Sequence, residues 1–103
     1  MKQRDKIKKI RCEWEQWTRK ILQREKLRKW DIKSSKQRGE GLIQFSIKRI
    51  LCSKGNYALF LHEVSHALLG KRYWNRYNLG HGVKWADTFT TLCTKYLYYL
   101  KNK

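Results

Sequence analysis

The segment Tyr57-Ala-Leu-Phe-Leu-His62-Glu63-Val-Ser-His66-Ala-Leu-Leu69-Gly70 organises the rest of this 103-residue chain. Gly55-Asn56 breaks whatever precedes it, Asn56 can cap a helix N-terminus, and Gly70 stands where helices usually stop. The spacing predicts a helix over residues 57–69, apolar along Leu61, Val64 and Leu68. Residues four apart share a helix face, so the His62 and His66 imidazoles can reach one cation. Glu63 is turned about 100° from His62, beside a metal without ligating it, where a general base for a water belongs. Chance places this three-residue pattern in so short a chain well under ~1% of the time.

A third ligand is needed. Glu63 is the last glutamate, which excludes a thermolysin-like glutamate from a later helix. Leu69 and Arg72 stand where the metzincin pattern needs Gly and His, and Ser65 stands where a deformylase-like motif needs Asp. His81 and Asp87 are left. His81, 15 residues after His66 and flanked by Gly80 and Gly82, is the better fit, because a neutral imidazole suits zinc. Asp87 is the weaker alternative as a ligand; it is otherwise expected to orient a histidine or to sit in solvent.

Working outward, Ile7, Ile10, Trp14, Trp17 and Ile21 make one apolar stripe that predicts an N-terminal helix, with the pattern lost at Arg24 and Arg28. Asp31-Ile32-Lys33 can form a brief strand, and Ser34 to Gly41 is turn chemistry. Ile43, Phe45 and Ile47 alternate with polar residues, which predicts a half-buried strand over residues 42–47. Residues 71–82 read as a loop carrying the third histidine. Trp85, Phe89, Leu92, Cys93, Tyr96, Leu97 and Leu100 predict a last helix over residues 83–100. The fold class expected is α+β, one domain over residues 1–103: helix, small hairpin or sheet, active helix, loop, helix.

His62-Glu63-x-x-His66, a loop, and then His81-Gly82-x-x-Trp85 resemble the SprT-like minimal zincins, a group that includes the WLM and YgjP-type metallopeptidases. The likeness is specific over residues 58–90 and loose before residue 40. It implies one Zn²⁺ held by His62, His66 and His81, with Trp85 packed behind the third ligand. It implies peptide-bond hydrolysis by metal-activated water with Glu63 as catalytic base, and a protein or peptide substrate. Tyr73 and Tyr77, in the loop, are the candidates for oxyanion stabilisation. Zinc would also tie the active helix to the loop and the last helix, and so supply folding energy to a thin core.

Charge supplies the competing reading. Twenty-five Lys and Arg against eight Asp and Glu give a formal +17, spread along the chain. Such a field attracts nucleic acid, and DNA in preference to RNA by the SprT-like resemblance. On this alternative the protein is a basic nucleic-acid-binding module with a structural zinc. Lys8, Lys9, Arg11, Lys20, Arg24 and Arg28 would face phosphate, and Tyr73, Trp74 and Tyr77 would stack on bases. The presence of Glu63 argues against it, since a structural site needs no base. A membrane-surface role for the basic first helix is a third and weaker reading. Cys12, Cys52 and Cys93 are odd in number and far apart, which predicts free thiols rather than a disulfide framework. No run approaches the roughly 18 apolar residues of a membrane span, and no apolar segment follows the basic opening. The expected location is the cytoplasm.

Overall fold

A computed structural model describes residues 2–34, 41–70 and 80–97, with side chains described from residue 13 onward. Its elements are α1 (Lys2–Arg24), β1 (Asp31–Ser34), β2 (Gly41–Gln44), β3 (Arg49–Cys52), α2 (Tyr57–Leu69) and α3 (Val83–Leu92), the last running into a π-helical turn, Cys93–Leu97. This is the α+β arrangement expected. The three strands form one sheet in the order β1-β3-β2. β2 and β3 are an antiparallel hairpin with Gly41 opposite Cys52 and Gln44 opposite Arg49. β1 adds to the other side of β3 in parallel, Asp31 opposite Arg49.

α2 is the centre of the molecule because it has little polar surface to expose. Phe60, Leu61, Val64, Ser65, His66 and Ala67 are all buried, and the Ser65 hydroxyl is satisfied by donating to the Leu61 carbonyl at 2.7 Å. Its ends are those the sequence predicts. The Asn56 side chain accepts from the Leu59 amide at 3.2 Å, and Gly70 takes the left-handed φ of 81° that follows the last turn. Ile50 and Cys52 of β3 join one face of α2 in the core. Trp14 and Trp17 of α1 cover its first turn, with Trp14 edge-on to Phe60 at 5.8 Å and Trp17 edge-on to Tyr57 at 4.8 Å. A fully buried ring such as Phe60 is worth about 3–5 kcal/mol on truncation, a large part of the stability of a chain this size.

α1 ends where its apolar pattern ends. The Lys26 amide donates to the Gln23 carbonyl at 3.2 Å and the Leu27 amide to the Leu22 carbonyl at 2.7 Å, a Schellman closure. Its left-handed residue is Lys26, φ 61°, where glycine is usual, at a cost of about 1–2 kcal/mol.

One sequence expectation needs correction. The strand expected over residues 42–47 stops at Gln44, because Phe45 to Lys48 turn the chain, the Lys48 amide donating to the Phe45 carbonyl at 3.3 Å. Ile47 is consequently 56% exposed rather than half-buried, and Arg49–Cys52 supplies the return strand. The last helix, expected over residues 83–100, is helical through Leu97 but passes from α- to π-helical register at Cys93; residues 98–100 lie outside the described residues. Among the described residues no helix is long and apolar enough to cross a membrane. Cys52 is fully buried and Cys93 half-buried, both free thiols, and burial, with the Glu63 charge adding to it, pushes the Cys52 thiol up to about 12.

Candidate metal centre

One helical turn separates His62 from His66 on α2. Gly80, buried and left-handed at φ 81°, and Gly82, extended at the start of α3, carry His81 back against that face. The result is a triangle of Nε2 atoms: His62 to His66 at 3.3 Å, His66 to His81 at 3.1 Å, and His81 to His62 at 3.0 Å. An imidazole nitrogen directs one lone pair or one N–H along one axis in the ring plane. Three such nitrogens cannot all hydrogen-bond pairwise in a closed triangle, whereas one cation between them satisfies all three. Tetrahedral zinc, with bonds of about 2.0–2.1 Å, would separate its nitrogen ligands by about 3.3 Å. The donor set fits. Three histidines of this protein are thus close enough together to hold a metal ion.

Burial favours the neutral form of the two imidazoles on α2. Burial, reinforced by the neighbouring His62 and His81, pulls His66 down to about 4, and burial with His81 also lowers His62. Trp85 packs on all three rings, with centroids 4.7 Å from His62, 5.6 Å from His66 and 4.8 Å from His81, and its indole N–H donates to the His62 carbonyl at 3.4 Å. Phe89 stacks on the other side of Trp85 at 5.0 Å and 9°. The aromatic wall is therefore broader than a single ring behind His81.

Glu63 is 5% exposed, with Oε1 3.9 Å from His62 Nε2, and burial pushes its carboxyl up to about 7. Space for the carboxyl comes from Gly41 in β2. A Cβ there would lie 2.9 Å from Leu59 Cδ1 and 3.0 Å from Glu63 Oε1. Gly41 is a site residue that sequence reading passes over as turn chemistry, because only the fold brings it to Glu63.

The remaining candidates divide clearly. Asp87 is exposed and lies outside the histidine cluster. Lys20, Arg24 and Arg28 are exposed; the side chains of Lys8, Lys9 and Arg11, and the whole of Tyr73, Trp74 and Tyr77, lie outside the described residues. In comparisons with known proteins, no family model, no curated protein and no solved structure matches this chain.

The two shifted groups give the metal-free protein a defined pH response. Glu63 stays protonated in the folded chain up to about 7 against an ordinary 4.5, so its contribution is complete below 4.5 and lost as pH rises through 7. His66, lowered from 6.5 to about 4, contributes above 6.5 and loses that contribution as pH falls through 4. Glu63→Gln should therefore raise the melting temperature of chelator-treated protein more at about pH 8 than at about pH 5. An equal difference at both would contradict a buried, neutral Glu63.

Proposed function

We propose that this protein is a zinc-dependent metallopeptidase of the SprT-like, minimal zincin type. The observation that carries the proposal is a carboxyl buried beside a closed triangle of three imidazole nitrogens. A structural site gains nothing from Glu63, whose burial costs stability once the carboxyl ionises. A hydrolytic site needs such a group.

His62, His66 and His81 would hold the metal, leaving one position of a tetrahedron open. Zinc in a three-imidazole site supplies a Lewis acid for a peptide carbonyl and acidifies a water. Glu63 Oε1 accepts the proton of the attacking water and then delivers it to the departing amine, so one carboxyl serves as base and then as acid. Trp85 fixes the ligand rings and keeps water from their far side. Gly41 leaves the carboxyl room to face the reacting atoms.

Metal analysis of the purified protein tests the site. Wild type and Asp87→Ala should each carry about one zinc per chain, and His81→Ala should carry far less. Zinc absent from wild type, or lost from Asp87→Ala and kept in His81→Ala, would overturn the ligand set.

A further inference from the structure

Among the described residues, two that are not glycine have positive φ, Lys26 at 61° and Lys48 at 52°. Both are lysines, they come from different parts of the chain, and both line the same cleft, about 320 Å³, with Arg28, Lys29 and Trp30. Glycine would take either backbone conformation without strain. The electronegative end of α1 accounts for a cation at Lys26, but it gives no reason for one at Lys48, in the β2–β3 turn. Strained backbone that survives at two converging lysines points to a use for their side chains.

The cleft is also held in shape. The Asp31 amide donates to the Lys48 carbonyl at 3.0 Å, which ties the turn to the segment after α1. The Trp30 amide donates to the Leu27 carbonyl at 3.0 Å, and the Trp30 ring stands edge-on to Phe45 of the turn at 6.1 Å. Among the described residues, four cations line the cleft and no carboxylate does. The two nearest acids in sequence are engaged elsewhere. Glu25 accepts from Tyr96 at 2.7 Å and Lys95 at 3.0 Å, and Asp31 is paired with Arg49 at 3.0 Å. The cleft shares no residue with the histidine cluster, and Lys48 lies at the end of the hairpin away from Gly41.

We infer that this cleft binds single-stranded nucleic acid, with Lys26, Arg28, Lys29 and Lys48 on successive phosphates and Trp30 offering a stacking surface to a base. Concentrated positive charge with an aromatic ring in its midst matches a strand that alternates anion and π-face. The inference stands independently of the peptidase reading. The cleft shares Arg28 with the residues that the charge pattern singles out and adds Lys26, Lys29, Lys48 and Trp30, at the junction between α1 and the sheet.

The test measures binding of a fluorescein-labelled oligothymidylate to the full chain by anisotropy across a salt series. Lys26→Gly/Lys48→Gly removes two charges while relieving the backbone, so it should melt no lower than wild type yet bind about tenfold or more weaker. Its salt slope should fall by about 1.4, at about 0.7 per phosphate contact on a single strand. Arg28→Gln/Lys29→Gln, which leaves the turns untouched, should behave alike. Trp30→Leu should weaken binding about fivefold or more with the slope unchanged. Lys33→Gln/Lys54→Gln removes the same net charge elsewhere and should bind within about twofold of wild type. Wild-type binding by both cleft double variants, an equal loss in the charge-matched control, or no effect of Trp30→Leu would each overturn the inference. So would a cleft variant that loses only its binding to phosphatidylserine vesicles, since the surface would then serve a membrane.

Discussion

Glu63→Gln should leave the zinc content at about one per chain and reduce hydrolysis of an unfolded protein substrate by about 10²- to 10⁴-fold, the usual range for losing a general base. Glutamine keeps the size and the burial of the side chain and removes only the ability to take a proton. The Oε1 position 3.9 Å from His62 Nε2 and the space left by Gly41 are both preserved in such a variant. A drop in activity with metal retained therefore separates chemistry from architecture. Metal lost along with activity would mean that Glu63 supports the ligands instead of the reaction. Full activity in the variant would remove the peptidase mechanism altogether.

Chelation should lower the melting temperature by about 15–30 °C. A ligand bound only by the folded state at a thousandfold over its dissociation constant contributes about 4 kcal/mol. For a domain of about 100 residues each kcal/mol is worth about 4–8 °C. The effect is large because the core is thin and the ion would join α2 to the start of α3, two elements joined through residues 70–82. His81→Ala should reproduce the chelated melting temperature and then show no further response to chelator, while Asp87→Ala should melt like wild type. A wild-type transition indifferent to chelator would show that the three histidines do not bind metal in solution.

The helix that carries the site was legible because every level of the sequence agrees there. Asn56 and Gly70 mark its ends, its apolar positions repeat with helical period, and His62, Glu63 and His66 fall where a metal helix needs them. The same holds for the end of α1 near Arg24 and for β1. What could not be read was the turn at Phe45–Lys48. Alternation from Ile43 to Ile47 mimics a continuous strand, and the residue that takes the left-handed conformation is Lys48, which carries no turn signal. The register change at Cys93 likewise has no marker, since Leu92 and Tyr96 are both buried and the apolar pattern runs straight through it. Gly41 against Glu63, and Lys48 on the same cleft as Lys26, bring together distant segments through sheet pairing that no local pattern announces.

The unequal spacing of the three imidazoles has a consequence for how the site would assemble in time. His62 and His66 face one another as soon as one turn of α2 exists, whereas His81 must be delivered across a separation of 15 residues. Closing a loop of that size costs little more than closing one half as long and takes well under a microsecond when the chain is unconstrained. Metal uptake should accordingly run in two stages, a weak and rapidly exchanging pair on α2 followed by capture when His81 and α3 arrive. The rate at which zinc leaves the finished protein would then report how often α3 lifts from α2, which makes metal exchange a clock for the opening of this one interface.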